Sequence, residues 1–276
     1  MKNSGSCNML LDTVFRDITF TISARGKRES TPVLEFLKSH FSTIPLEQVD
    51  SLFGFVEPST LYSGRPFLGR QLSDTDVAML NENRIGLRIP CTNHEATEEE
   101  YRNHIPFFEK YQRKGNSIIC TNDQLAGWIR RDFPAYKIEA SILKEIDTHD
   151  KIDNALDIYD TVILPMNLNY NSDFLSSIVQ KERITLFGNA GCALTCPDRI
   201  CYRVISETNK KLAIQHPVRR YTTFMFRLGF QTDWCSNRLH PRKLKGMTDF
   251  DLEWLYELGF RRFKMLRENR QWKTGY

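Results

Sequence analysis

Residues 188–203 read GNAGCALTCPDRICYR and bring Cys192, Cys196 and Cys201, three of the chain's seven cysteines, within ten positions. Thiols crowded in this way form a disulfide, hold a metal or cluster, supply a nucleophile, or simply pack. A fourth thiol, Cys235, stands in DWCSNR further along the chain. Four thiolates suit zinc or an iron–sulfur cluster, because soft ligands select those centres. Structural zinc favours C-x2-C knuckles, and neither interval here, C-x3-C or C-x4-C, has that spacing. The spacing therefore favours an iron–sulfur cluster, with zinc or no metal as the alternatives. Free cysteine is also a common core residue, and Cys201, five residues past Cys196, reads equally as part of a following helix. Cys91 and Cys120 end apolar runs and stand as substitutes for Cys201 in the ligand set or as packing residues.

Other polar side chains fall just after apolar runs. Arg65, in YSGRP, offers a bidentate fork to a carboxylate or phosphate, or braces its loop. Asn93, Asn169 and Asn189 either orient a substrate or cap turns. Glu57 and Glu139 are acid–base candidates if buried. Glu139 sits inside an apolar run, where a carboxylate needs a cationic partner or titrates high. Cys91 followed by His94 is the nearest approach to a nucleophile and base, and neither H-E-x-x-H nor G-x-S-x-G occurs.

What must position these residues is a rhythm of short β-rich runs and amphipathic segments. The runs are 18–23, 51–57, 85–90, 117–121, 136–141, 159–165, 184–188 and 261–266. Helical patterns cover 31–41, 73–83, 96–114, 123–133, 151–158, 172–180 and 248–258. Strands that alternate with helices predict right-handed βαβ units and a parallel sheet, with strands apolar on both faces. About eight such units predict an α/β fold of the (β/α)8 barrel type, in which the chemistry gathers where strands end. A doubly wound open sheet is the alternative, but no G-x-G-x-x-G follows an early strand.

The composition is ordinary for one globular domain spanning residues 1–276, with residues 1–15 expected to be mobile. Of 276 residues, 41% are hydrophobic and 26% charged, and the formal charge is +4. That mild excess permits a polyanionic partner without requiring one. Basic segments with interleaved aromatics, 209–224 and 260–273, have the mixture an RNA surface uses, or are solvated helix faces. Residues 219–230, RRYTTFMFRLGF, read as core or as an interface for a partner subunit. No apolar run reaches membrane-spanning length and no signal peptide is evident, so a cytoplasmic protein is expected, where disulfides seldom persist.

Four segments in the same order resemble the peptidase U32-like, collagenase-like family. LFGNAGCALTCPDR is similar to its V-N-x-G-C-x-x-x-C-P-x-R segment, YSGRP to its S-G-R loop, and YDTVILPMNLNYNSDFLSSI to its D-x-[IV]-V-L-x-x-x-L-N-[RY]-[ND] segment. LHPRKL…DLEWLYELGFRRFKMLREN is similar to its closing stretch, and the likeness spans about residues 50–270. Ala190 replaces an acidic residue found in many relatives. The resemblance implies a TIM-barrel-like fold. Some relatives are peptidases by name; others, the UbiU/UbiV type among them, are oxygen-independent hydroxylation proteins that hold a 4Fe–4S cluster on four cysteines and act on a small aromatic or quinone precursor or an RNA base. Carried over by motif, Cys192 and Cys196 are ligands, Cys201 and Cys235 complete the set, and Arg65, Asn169 and Asn189 line the rim. Relatives that work in pairs imply a heteromeric partner subunit.

Overall fold

In Thr19–Ser23, TFTIS, hydroxyl residues alternate with Phe20 and Ile22, so an extended chain sends the two kinds to opposite faces. The structure, a computed structural model, describes residues 17–67, 69–194, 196, 201–214 and 248–266, with the backbone alone at 192, 201 and 212–214. The expected mobile segment 1–15 and the suggested interface 219–230 lie outside the described residues. Seven strands come first: β1 (Thr19–Ser23), β2 (Val49–Phe53), β3 (Gly86–Cys91), β4 (Ser117–Cys120), β5 (Lys137–Ala140), β6 (Thr161–Ile163) and β7 (Ile184–Phe187). A two-stranded antiparallel ribbon follows, β8 (Asn189–Ala190) with β9 (Thr248–Asp249). The last strand, β10 (Arg262–Met265), lies parallel between β7 and β1 and closes an eight-stranded barrel. This is the predicted (β/α)8-type architecture. Each of the eight predicted runs overlaps one of its strands, six containing theirs whole, while β2 begins two residues before its run and β3 ends one residue past its own.

The outward faces make the core. Phe20, Ile22, Leu52, Leu87, Val162 and Phe263 pack in one cluster with Phe36, Leu80, Phe108, Leu125 and Ile152 from the surrounding helices. Those helices include α1 (Val33–His40), α2 (Asp74–Glu82), α3 (Glu98–Asn103), α4 (Ile105–Tyr111), α5 (Asp123–Asp132) and α6 (His149–Ile158). They continue with α7 (Ser172–Ser177), α8 (Cys201–Ile214) and α9 (Leu252–Glu257). Each such side chain contributes about 1.5–3 kcal/mol when fully buried. Reciprocal capping boxes, Ser73 with Asp76 and Thr97 with Glu100, start α2 and α3.

The barrel interior corrects the expectation of strands apolar on both faces. Its middle layer is polar: Thr21, Ser51, Arg88, Ser117, Glu139, Thr161, Thr185 and Lys264 are all buried there. Side chains inside so small an enclosure meet only one another, so polar ones are tolerated when they satisfy each other. The segment 96–114 also departs from the single predicted helix. Pro106 lacks an N–H and its ring crowds the preceding turn, so the chain breaks at His104 into α3 and α4. In 248–258 the helix is confined to 252–257, because Thr248 and Asp249 pair with β8. The first two residues of the last predicted segment thus belong to a ribbon, and α8 is the helix after Cys196 that one of the two readings of Cys201 expected.

Candidate active site at the mouth of the barrel

Side chains two residues beyond the polar layer face the open end. Ser23, Phe53, Pro90, Ile119 and Phe187 from β1 to β4 and β7, with Ser141 just after β5, line a cavity of about 150 Å³ with Lys264 of β10 below them. The loop after β2 adds Ser63, Gly64 and Arg65, and Arg25 enters from the loop after β1. Gly64 holds φ at +78°, a left-handed conformation that disfavours any side chain, so the S-G-R sequence makes a tight turn at the rim. Three cations, Arg25, Arg65 and Lys264, line the cavity, and no carboxylate lines it among the described residues. The positive potential of such a site favours an anionic ligand.

The cysteine loop closes one side. Gly191 and Ala193, the neighbours of Cys192, line the cavity, as does Tyr202, the neighbour of Cys201. Cys192 lies in a 3-10 turn over Cys192–Leu194 and Cys201 opens α8. Cys196 is half-buried, and Cys235 lies outside the described residues. Helix α8 is fastened to the rim by polar contacts. Asn209 donates to the carbonyls of Tyr62 (3.2 Å) and Arg65 (2.8 Å) and accepts from the Phe67 N–H at 2.8 Å. Ser206 donates to Ser63 Oγ at 2.7 Å, and Lys210 pairs with Glu100 at 2.9 Å. Cys91 and Cys120 are register partners whose strand neighbours Pro90 and Ile119 face the cavity, so both thiols face the helix layer. Burial pushes the Cys91 thiol well above its usual range, and the Cys120 thiol rises for the same reason.

Arg65 lies over the Phe55 ring at 4.6 Å and donates to Gln71 Oε1 at 2.5 Å. Asn169 donates to the Phe187 carbonyl at 2.7 Å, and its buried Oδ1 has no hydrogen-bond partner among the described residues. Asn189 accepts from the Leu266 N–H at 2.8 Å and so ties the ribbon to the end of β10. Asn93 donates to the Thr60 carbonyl at 2.8 Å. Glu139 lies in the polar layer below the cavity, 3.0 Å from Arg88 Nη1, and also accepts from Thr161 at 3.1 Å. Glu57 sits at the helix side, bound by Lys110 and Tyr111. His94 is 3.4 Å from Ser206 Oγ; burial lowers its pKa, against a hydrogen bond with the Leu143 backbone.

Lys264 was missing from the sequence-based candidates. Its signal was the RFKM alternation of β10, which puts a lysine between Phe263 and Met265 and therefore on the face opposite theirs. Its Nζ lies 4.2 Å from the Phe53 ring centroid and 5.9 Å from that of Phe187. Burial lowers its pKa from 10.5 to about 8; Glu139 pulls it up, while Arg88 and Arg65 push it down.

Among described residues, no group of three His, Cys, Asp or Glu side chains is disposed to hold a metal, and no helix is long and apolar enough to cross a membrane. No family model and no curated protein matches the sequence. A solved structure described as the U32 peptidase Mk0906 is similar to this chain, with a TM-score of 0.57 at 12% identity, covering 90% of this chain and 92% of that one. Likeness at that identity establishes a shared barrel fold.

Proposed function

We propose that this chain is an iron–sulfur enzyme of the U32-like type, with a 4Fe–4S cluster beside a cation-lined substrate cavity. Cys192, Cys196 and Cys201 would hold the cluster, with Cys235 as the fourth ligand. The observation that carries the reading is adjacency: Gly191, Ala193 and Tyr202, which flank two of the cysteines, line the same cavity as Arg25, Arg65 and Lys264. The donor chemistry fits, since thiolates are the ligands such clusters take. A cluster supplies one-electron transfer, which suits oxygen-independent hydroxylation or a related redox modification. The protein's own part is to bind and orient. Arg25 and Arg65 attract a carboxylate or phosphate, the Ser23, Ser63 and Ser141 side chains border it, and Phe53 and Phe187 offer ring faces. A small anionic aromatic compound suits that lining; a nucleobase whose phosphate meets the arginines is the RNA version of the same chemistry.

A second reading, a U32-type peptidase, is supported by the described fold neighbour. Among the described residues no histidine lines the cavity to activate its serines, and the Cys91 thiol is buried facing the helices, which ranks this reading lower. Protein purified without oxygen is expected to show a broad absorbance shoulder near ~400 nm, with iron and acid-labile sulfide, all lost in Cys192→Ala/Cys196→Ala. A colourless, metal-free protein after anaerobic reconstitution would overturn the cluster, and hydrolysis of a peptide substrate by that protein would favour the peptidase.

A further inference from the structure

Two lysines in the described structure are buried, and they differ in one respect. Lys27 spends its ammonium donors on the Arg28 and Gln71 carbonyls and on Asp76, at 3.2, 3.0 and 2.7 Å. Lys264 has no hydrogen-bond or ion-pair partner among the described residues. What surrounds its Nζ is the Phe53 ring at 4.2 Å, the Phe187 ring at 5.9 Å, and the cavity that Lys264 itself lines. The neighbouring polar residues are already committed to one another. Arg88 binds Ser117, Glu139 and Asp50, and Glu139 also holds Thr161 and Thr185. The amine is held in place because β10 is laddered on both sides there, Lys264 opposite Thr21 of β1 and Phe187 of β7.

A desolvated lysine close to other cations keeps a large share of its amine neutral and nucleophilic near neutral pH. The charged groups that act on Lys264 are Glu139, which favours the ammonium, and Arg88 and Arg65, which oppose it. Arg25 and Arg65, lining the same cavity, select a compound that also carries an anion.

We propose that Lys264 is a nucleophilic amine that captures a small 2-oxo acid in this cavity as an imine, with the arginines holding its carboxylate. The neutral amine adds to the keto carbon and its proton passes to the oxygen, giving a carbinolamine. The hydroxyl leaves as water after taking up a proton from solvent, the equivalent of the one the ammonium released in becoming the neutral amine. Overall, ammonium and ketone give a protonated imine and water with the charge unchanged. No electrons are gained or lost. The step does not depend on the metal centre.

The test is reductive trapping on the full chain, with pyruvate as the probe and cyanoborohydride as the reductant, read by peptide mass spectrometry. We expect the carboxyethyl adduct on Lys264 to form at least about tenfold faster than on the exposed Lys38 or Lys114. Its rate should climb with pH and level off above about 8. Lys264→Arg, which keeps the charge, should abolish the adduct while circular dichroism stays native; Arg65→Met should slow it. Labelling of Lys264 no faster than of the exposed lysines, or the same adduct yield in Lys264→Arg protein, would overturn the proposal. A colourless, metal-free protein that still forms the adduct would refute the cluster and support the amine, and a coloured protein without the adduct would do the reverse.

Discussion

Arg88 and Glu139 meet across the barrel interior at 3.0 Å, with side chains 4% and 1% exposed. Each charge loses several kcal/mol of hydration there, and the pair survives because its remaining hydrogen-bonding positions are filled. Glu139 accepts from Arg88, Thr161 and Thr185, while Arg88 also reaches Ser117 and Asp50. Removing one partner leaves the other buried and poorly compensated. Glu139→Ala is therefore expected to destabilise the fold by about 3–5 kcal/mol, and Arg88→Met/Glu139→Leu by clearly less. Urea unfolding of the two variants decides this, since equal losses would mean that the interior is wet enough to screen the charge. The sequence showed Glu139 as a carboxylate in need of a cation but not which cation. Arg88 is 51 residues away, and only the pairing of β3 and β5 on either side of β4 brings the two together.

Helix α8 shows why a docking element escapes a search for apolar periodicity. Its buried side chains include Ser206, Thr208 and Asn209 beside Ile205, so the face that packs is largely polar. The barrel strands were legible because runs such as SIIC and ITLF are short, apolar and bounded by polar turns. The polarity of their inner face was legible too, in the alternation of TFTIS and RFKM, but it is easily mistaken for noise in apolar runs. At the site, the sequence looked to strand ends; of its named side chains Arg65 lines the cavity, while Glu57, Asn93, Glu139, Asn169 and Asn189 are not among the lining residues. It did not separate Pro90 and Ile119, which face the cavity, from Cys91 and Cys120, which face away, because a strand's facing depends on register. Asn209 carries the docking of α8 with three hydrogen bonds to the loop that presents Arg65. Asn209→Ala should cost about 1–3 kcal/mol and speed amide exchange over residues 62–67. Unchanged exchange there would mean that the loop keeps its shape without α8.

On the scale of the whole molecule, a barrel shared with the U32 peptidase Mk0906 fixes where chemistry happens, not which. This chain keeps a cation, Lys264, inside the barrel without an ion-pair partner among the described residues, and that arrangement carries a stability cost with a definite pH dependence. Lys264 titrates at about 8 in the folded chain against 10.5 ordinarily. Between those values the unfolded chain holds a proton that the folded chain has released, so unfolding takes up a proton and stability rises with pH across that window. Below about 8 both states are protonated and the penalty is at its full size, about 3 kcal/mol for the interval between the two values. Lys264→Met removes the cation while keeping an unbranched apolar side chain among Phe53 and Phe187. The variant should accordingly unfold at higher urea than the parent at neutral pH, with its advantage shrinking as pH climbs from about 8 toward 10.5. An advantage that stays constant with pH would assign the effect to packing. A variant less stable than the parent at neutral pH would mean that the ammonium is supported where it sits, and that the barrel's mouth is not strained by it.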